Sequence, residues 1–392
     1  MGERSRPAAE TVARLRPHFA RLGITRLARQ TGLDVIGIPC FSAIRPNAPT
    51  LSVNMGKGLD DPAAMASAVM EAVEYAYAEA PATPRQRASA ATLLAAGRAL
   101  FDISPWLPPG TGLDPGLPLD WLEGRDLFTG AAVLAPRDAL TLGGAADLPA
   151  ISQSTNGLAS GNRADEALFH ALCELIERDA TSLWVFRSDA AVAASALDPA
   201  AFADPELDAL VARIGRAGFR LTLFDQTTDL GLPVILALLS PADRPPTRYF
   251  DLAAGCSCHP VAARAAIRAT VEAAQTRVSN IAGARDDVDP AEYHQAASAS
   301  LQGLAAIPPD PLATPPAGLA PGRDDCSLGG MLDHLRSRLH RAGLTRIAAF
   351  PLGGETEGVA VLRLLAHGLE DQATNRHWRP GPRALRAMLG LQ

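Results

Sequence analysis

Polar residues recur on one face of a segment that is otherwise apolar, NGLASGNRADEALFHALCELIERDA at 156–180. At about 100° per residue, these polar side chains fall within about 80° of one another on a helix. They are Glu166, His170, Glu174 and Glu177. Leucine and isoleucine residues occupy the opposite side. The pattern predicts a helix with an apolar back and a carboxylate front.

A second segment predicts a helix of the same kind. The sequence DDP at 60–62 combines a carboxylate cap with proline in the first turn, which indicates a helix start. The helix is expected to run to about Ala80. Within it, Ser67, Glu71 and Glu74 are spaced i, i+4 and i+7 and therefore share one face.

A third predicted helix, His259 to Ala282, carries a mixed polar stripe. Cationic, carboxylate, amide and hydroxyl side chains lie within about 80° of one another on it. They are Arg264, Arg268, Glu272, Gln275 and Ser279. A solvated face would explain such a stripe, and so would a binding site shared with the two carboxylate helices.

The remaining pattern consists of short helices, strands and turns. It predicts helices at 8–22 and 89–100, strands at 34–44, 51–55 and 248–256, and a hairpin at 121–136 that turns at Thr129-Gly130. Segments 216–240 and 341–366 repeat one motif, in which a helix ends at Ala-Gly and a strand, a polar loop and a second strand follow. The proline-rich segment 303–322 is expected to be a surface loop.

These elements predict a mixed α/β (α+β) fold. No clean linker divides the chain, so we expect a single large domain. Its N-terminal helix and strands, at 1–55, are expected to be integrated with the main part at 56–392.

Composition narrows the class of protein. A hydrophobic content of 47% and a charged content of 20% are typical of a soluble globular protein. A net charge of −6 argues against a nucleic-acid or anionic-membrane partner. No apolar run reaches the roughly 18 residues that cross a bilayer. The five scattered cysteines indicate reduced thiols and a cytoplasmic location.

The two ExxE pairs, Glu71/Glu74 and Glu174/Glu177, carry the candidate chemistry. Carboxylates at i, i+3 repel each other unless a cation lies between them. Two facing pairs would suit Mg²⁺ bound to the phosphates of a nucleotide. Both helices also follow glycine-rich loops, MGKG and NGLASGN, which suit phosphate binding. The alternative is two solvated helix faces.

Four further residues have more than one interpretation. Lys57 could approach a phosphate or be a lysine without a special role, and His170 could be a base, a phosphate contact or a partner of a glutamate. Cys256 and Cys258 suggest a metal site, but their C-x-C-H spacing lacks the second ligand pair of structural zinc. Small buried residues at a strand end are the favoured interpretation of the two cysteines.

Three blocks in order resemble the YcaO superfamily. They are SAVMEAVEYAYAE after MGKG, NGLASGNRADEALFHALCELIERDA, and HPVAARAAIRATVEAAQTRVSNIAGARDD. The resemblance extends from about ITRLARQTGLDVIGIP to PGPRA. YcaO proteins bind ATP through Mg²⁺ held by glutamate pairs, without a P-loop, and this chain has no GxxxxGK[ST].

The resemblance implies specific roles for matching positions. Glu71, Glu74, Glu174 and Glu177 match the metal-binding glutamates. Ser67, Asn162, Glu166, Arg178 and Gln275 match nucleotide-contacting positions. Glu71, Glu174 and Arg178 are thereby expected to be catalytic. Tyr75 replaces the arginine that often follows the first ExxE, so one cationic contact is expected to be missing or supplied elsewhere.

The implied reaction is phosphorylation of a backbone amide oxygen in a ribosomally made peptide. Attack by a neighbouring Cys, Ser or Thr of the peptide would give an azoline, and attack by external sulfide a thioamide. The chain ends RPGPRALRAMLGLQ, without the PxPxP tail common in azoline-forming members. Its HGLEDQ…PGPRA segment looks like that of YcaO proteins that work beside a TfuA partner. We therefore expect thioamide formation with a TfuA-like or sulfur-donor partner.

The remaining expectations concern partners and rival functions. The chain has no spare segment for a leader-recognition domain, so a partner is expected to supply one, and homodimerisation is common in the family. A non-catalytic nucleotide-binding scaffold subunit and an ATP-dependent carboxylate–amine ligase remain alternatives to the expected enzyme.

Overall fold

The protein is built from three long helices, several shorter ones and three antiparallel sheets. The computed structural model describes residues 3–144, 146–283, 289–320 and 326–391. Its α-helices are α1 (Ala8–Leu15), α2 (Asp61–Glu79), α3 (Ala90–Ala95), α4 (Ala164–Trp184), α5 (Asp189–Ala194), α6 (Pro205–Arg216), α7 (Ala262–Ala282), α8 (Ala299–Ala306), α9 (Leu328–Arg341) and α10 (Pro382–Met388). No helix in these ranges combines the length and apolar content needed to cross a membrane.

The strands of the described residues pair only with antiparallel neighbours within each sheet. They are β1 (Arg26–Arg29), β2 (Cys40–Ile44), β3 (Val53–Lys57), β4 (Arg85–Ser89), β5 (Pro118–Asp126), β6 (Ala132–Pro136), β7 (Leu158–Gly161), β8 (Ala196–Leu197), β9 (Phe219–Asp225), β10 (Val234–Pro241), β11 (Ala253–Cys258), β12 (Ile347–Gly353) and β13 (Ala360–Ala366). The sheets have the orders β1-β2-β3, β11-β10-β9-β8 and β4-β5-β12-β13-β7, and β6 also pairs with β5. The predicted mixed α/β class is confirmed.

The three polar-faced helices are placed on three different sheets. Helix α2 packs on β2 and β3, α4 on β7 and β13, and α7 on β10 and β11. Each helix also contacts a strand of the next sheet: α2 contacts β7, α4 contacts β11, and α7 contacts β3. The three helices therefore converge around one point, although their sequences are far apart.

Several predicted elements are confirmed. The hairpin forms from β5 and β6, with Gly124 opposite Val133. Both repeated units also form as predicted, β9 with β10 after α6 and β12 with β13 after α9. Helix α2 begins as expected, because the side chain of Asp60 accepts a hydrogen bond from the backbone N–H of Ala63.

Other predicted helices and strands are shorter in the structure than the sequence pattern suggested. The first helix ends at Leu15 and continues as a 3₁₀ turn that contains Pro17, whose nitrogen has no proton to donate. The strand predicted from Asp34 begins at Cys40, after Gly37 with its φ of 73° and Pro39.

The helix predicted at 89–100 ends at Ala95, because Gly97 adopts a left-handed φ of 72°. The third polar helix begins at Ala262, after Pro260, and residues Tyr249–Asp251 form a 3₁₀ turn before β11. In the proline-rich segment, α8 extends to Ala306, and Pro321 and Gly322 lie outside the described residues.

A glycine in the strand before each polar-faced helix allows that helix to lie close to its sheet. A Cβ atom at Gly56 would lie 2.1 Å from the backbone nitrogen of Ala68 in α2. The corresponding positions are Gly161 beneath α4 and Gly255 beneath α7, where a Cβ atom would lie 2.5 Å and 2.4 Å from the nearest helix atoms. Any side chain at these positions would push the helix away from its sheet.

Replacing Gly56 with alanine tests this close approach. Gly56→Ala is expected to lower the free energy of unfolding by about 1–3 kcal/mol, because the added methyl group meets rigid backbone. Gly215→Ala is the matched control: Gly215 lies in α6, where an added Cβ atom would meet no neighbouring part of the protein within 4 Å. This change should raise stability by about 0.5–1 kcal/mol. Urea denaturation measures both, and equal stabilities of the two variants would contradict the packing argument.

Candidate functional site

A cavity of about 460 Å³ lies where α2, α4 and α7 converge. It gathers all but one of the site residues expected from the sequence. These are Ser67, Glu71 and Glu74 from α2, Glu166, Glu174, Glu177 and Arg178 from α4, and Gln275 from α7. The two ExxE pairs therefore face one cavity, and the interpretation as two unrelated solvated faces is wrong.

Asn162 is the predicted residue that does not line this cavity. Its backbone and side-chain N–H groups donate to Glu166 Oε2 over 2.9 and 3.1 Å. Its own Oδ1 accepts a hydrogen bond from Thr11 over 2.8 Å. Asn162 thus fixes the orientation of Glu166, and direct contact with a nucleotide stays a prediction.

The carboxylate of Glu74, on α2, is buried against β7. It accepts hydrogen bonds from the backbone N–H and the hydroxyl of Ser160, at 2.9 and 2.7 Å. Burial raises the pKa of Glu74 to about 8; the hydrogen bonds from Ser160 work to lower this pKa, and the charges of Glu71 and Glu174 work to raise it. Without a bound cation, this group is largely protonated at neutral pH.

Glu174 and Glu177 of α4 also accept backbone hydrogen bonds and have raised pKa values. Glu174 accepts a hydrogen bond from the N–H of Gly157 over 3.2 Å, and Glu177 from the N–H of Cys258 over 3.3 Å. Burial raises the pKa of Glu174 to about 7 and that of Glu177 to about 8, and the charge of Glu272 contributes to the second shift. Arg178 lies 3.8 Å from Glu174 and offsets only part of the effect.

Cations are supplied to the cavity from outside the ExxE motifs. Lys57, at the end of β3, forms an ion pair of 3.1 Å with Glu272 of α7. Burial works to lower the pKa of Lys57, but Glu272 and Glu71 outweigh it and raise the pKa. Tyr75, which replaces the arginine that often follows the first ExxE of YcaO proteins, also lines the cavity, and Arg4 contributes a guanidinium from the N-terminal segment.

The N-terminal segment is the part of the site that the sequence did not reveal. Ser5 donates its backbone N–H to Glu166 over 2.6 Å. Glu3 contacts Arg268 and lies 2.8 Å from His259 Nε2. These contacts join residues more than 150 positions apart, and residues 3–6 carry no periodic pattern, so the sequence did not mark them as site residues. Arg268 and Glu272, in contrast, belong to the polar stripe that the sequence predicted on α7.

The structure shows where His170 and the CxCH sequence at 256–259 lie relative to the cavity and the core. His170 lines the cavity, and burial together with Arg268 lowers its pKa, so the imidazole is neutral at pH 7. Cys258 and His259 are each about 1% exposed. Cys256 is half-buried, with its thiol 3.4 Å from Gln226 Oε1. Burial raises the pKa of Cys256, which keeps it a thiol.

The donor set fits a metal ion that arrives with a nucleotide. Among the described residues, no three His, Cys, Asp or Glu side chains are grouped so as to hold a metal ion by themselves. Mg²⁺ usually takes one or two carboxylates, with phosphates and water completing its shell. Two buried polar atoms of this cavity, Arg178 Nε and Gln275 Oε1, also have no hydrogen-bond partner among the described residues, and a polar ligand would supply one.

The carboxylate-lined cavity suits a nucleotide that is bound together with divalent cations. Comparison with known proteins identifies the family. The family model of YcaO cyclodehydratases, described as ATP- and Mg²⁺-binding, matches residues 55–370. The chain belongs to the YcaO family. ATP and Mg²⁺ are therefore its cofactors.

One relative and two solved structures are informative. An uncharacterized protein in the tfuA 3′ region of Rhizobium leguminosarum bv. trifolii is 37% identical, over 100% of this chain and 94% of that protein. A heterocyclase in complex with substrate and cofactor has a TM-score of 0.78 at 18% identity, and the match covers 99% of this chain and 55% of the heterocyclase chain. YcaO from Methanopyrus kandleri, bound with AMPPCP and Mg²⁺, has a TM-score of 0.69 at 23% identity, and the match covers 97% of this chain and 98% of that protein.

The raised carboxyl pKa values predict how stability depends on pH. Glu74, Glu174 and Glu177, with pKa values of about 8, 7 and 8, bind more protons in the folded than in the unfolded chain above about pH 4.3. Metal-free protein should therefore lose thermal stability as pH rises from about 5 to about 8. Stabilisation by Mg²⁺ with AMPPCP should grow over the same window, because the metal needs deprotonated ligands.

Two variants check that the glutamates cause this dependence. Glu74→Gln should flatten the fall of Tm with pH, because it removes one of the titrating groups. Glu123→Gln, on the exposed surface of β5 beside Arg98, should leave the wild-type slope. A slope unchanged by Glu74→Gln in scanning calorimetry would contradict the assignment.

Proposed function

We propose that this protein uses ATP and Mg²⁺ to phosphorylate a backbone amide oxygen of a ribosomally made peptide, and that sulfide then displaces the phosphate to leave a thioamide. The observation that carries the proposal is the convergence of the Glu71/Glu74 and Glu174/Glu177 pairs in one cavity. Mg-ATP supplies the phosphoryl group and charge neutralisation, and catalysis then depends mainly on positioning. A protein nucleophile is not required.

The residues of the cavity have distinct parts in this proposal. The four glutamates hold Mg²⁺, and Glu71 and Glu174 are the catalytically critical members of the two pairs. Arg178 neutralises negative charge that develops on the phosphates. Ser67, Asn162, Glu166 and Gln275 bind or orient the nucleotide, of which Asn162 acts through Glu166.

The thioamide product is supported by the relative beside tfuA. A TfuA-like protein is therefore the proposed partner, as the source or carrier of sulfur. An azoline-forming cyclodehydratase is the second candidate, and the description of the family model favours it. Mass spectrometry of the modified peptide separates the two, because a thioamide exchanges oxygen for sulfur whereas an azoline loses one water.

Nucleotide binding tests the roles of the two helices. Calorimetry with AMPPCP should show Mg²⁺-dependent binding to the wild type, and Glu71→Gln or Glu174→Gln should weaken it by about tenfold or more. Glu123→Gln is the control with an exposed glutamate and should bind as the wild type does. Unchanged affinity in both cavity variants would overturn the assignment of the metal ligands.

Isotope transfer tests the reaction itself. A peptide encoded beside the gene and labelled with ¹⁸O in its backbone amides should yield ¹⁸O-labelled phosphate, because the amide oxygen leaves with the phosphoryl group. Transfer from a carboxylate label instead would identify a carboxylate–amine ligase. Nucleotide binding without any peptide-dependent hydrolysis would identify a scaffold subunit.

A further inference from the structure

Lys57 places a cation among the carboxylates of the cavity between α2, α4 and α7. It is the single lysine of the chain, and its Nζ forms an ion pair of 3.1 Å with Glu272 of α7. The charges of Glu71 on α2 and Glu177 on α4 also act on Lys57 and work to raise its pKa. Lys57 therefore interacts with one glutamate of each ExxE pair and with all three helices that form the cavity.

Carboxylates outnumber cations in this cavity. Among the described residues that line it, six are glutamates and three are cationic. The other two cations are Arg178, which lies 3.8 Å from Glu174, and Arg4, whose charge acts on Glu166. Lys57 thus supplies a large share of the positive charge, and a divalent ion that approaches the ExxE pairs is repelled by it.

The backbone at both ends of this ion pair is fixed by close packing. Lys57 is the last residue of β3, and Gly58 follows it so close to α2 that a Cβ atom there would lie 2.6 Å from the side chain of Ala63. At the other end, a Cβ atom added to Gly255 of β11 would lie 2.7 Å from the Cβ atom of Glu272. Any rearrangement of the pair therefore takes place in the two side chains.

The ion pair can be exchanged for other partners. The side chains of Lys57 and Glu272 are 31% and 36% exposed, so solvent screens their attraction and the pair contributes little net stability. A lysine also carries its charge as a compact ammonium group on a flexible four-carbon stem. Lys57 can therefore move from a carboxylate to a phosphate within the cavity.

We propose that Lys57 is a tethered cation that competes with divalent ions for the ExxE glutamates, so that metal binds strongly only together with a nucleotide. The proposal rests on the proposed function, because it takes the four ExxE glutamates as the metal ligands. Lys57 acts on the metal through these carboxylates and is therefore a positioning residue. Glu272 holds it beside them.

The phosphates of a nucleotide change this competition. Because they attract the ammonium group of Lys57, its hold on the carboxylates weakens when a nucleotide binds. The same phosphates complete the coordination shell of Mg²⁺, which takes only one or two carboxylates from a protein. Nucleotide and metal then strengthen each other's binding, and linkage requires the factor to be the same in both directions.

Two substitutions that break the same ion pair test the proposal, because they change the charge of the cavity in opposite directions. Lys57→Met removes the cation, and Glu272→Gln removes the carboxylate that holds it. The probe is Mn²⁺, which shares the preference of Mg²⁺ for oxygen ligands. Electron paramagnetic resonance measures its affinity at pH 8 with and without AMPPCP. Arg98→Met and Glu123→Gln, at an exposed ion pair that does not line the cavity, are the matched controls.

The expected changes have opposite signs. Without AMPPCP, Lys57→Met should tighten Mn²⁺ binding by about fivefold or more, and Glu272→Gln should weaken it. With AMPPCP, Lys57→Met should bind Mn²⁺ no more tightly than the wild type does, so that the enhancement by nucleotide shrinks. The double variant and Lys57→Arg both keep the net charge of the wild type and should stay close to its affinities. Neither control should change them.

Other outcomes overturn one proposal or the other. Shifts in the same direction for Lys57→Met and Glu272→Gln would make the pair a structural link between β3 and α7. Tighter Mn²⁺ binding by Glu272→Gln alone would also overturn the competing cation, whatever the stability of Lys57→Met. A double variant that binds Mn²⁺ as weakly as Glu272→Gln would identify Glu272 as a metal ligand instead. Wild-type protein that binds no Mn²⁺ even with AMPPCP would overturn the proposed function itself.

Discussion

The fold has to hold several carboxyl groups together in one cavity, where they would repel one another if all were ionised. Two unit charges about 4 Å apart repel each other by about 4 kcal/mol at an effective dielectric constant of 20. Burying one leucine side chain contributes about 1.5–3 kcal/mol, so a few apolar contacts outweigh one such repulsion. The buried backs of α2 and α4, among them Val69, Val73, Leu172 and Ile176, provide contacts of this kind.

The same balance explains the state of the glutamates. Because burial is the largest influence on their pKa, Glu74 and Glu177 have pKa values of about 8 and stay largely protonated while no cation is bound. Binding of a divalent ion would replace these protons, so metal affinity and packing are linked through one set of residues. Lys57 and Arg178 neutralise part of the negative charge through their contacts with Glu272 and Glu174.

Three sheets provide the framework for this balance. Each polar-faced helix lies on one sheet and contacts a strand of the next, so none can shift without disturbing the other two. Gly56, Gly161 and Gly255 bring the helices to within backbone contact of their strands. Glu272 illustrates the result, because it reaches from α7 to Lys57 at the end of β3.

The helix faces were predictable from the sequence because they depend only on local period. The spacing of Glu71/Glu74 and Glu174/Glu177 fixes which side chains share a face whatever the tertiary structure. Helix ends were less predictable, since Pro17 and Gly97 act through backbone conformation that periodicity does not report. Arg4 depends on contacts between distant segments, and no local pattern marks it.

The surroundings of Trp106 and Trp378 were beyond prediction for the same reason. These two side chains line one cavity but are separated by most of the chain, and the fold alone brings them together. The glutamate cavity, by contrast, does not by itself decide the product of the proposed reaction. Phosphorylation of an amide is the same step for a thioamide and an azoline, so the glutamate cavity serves either product. The product is decided by which nucleophile then reaches the amide carbon.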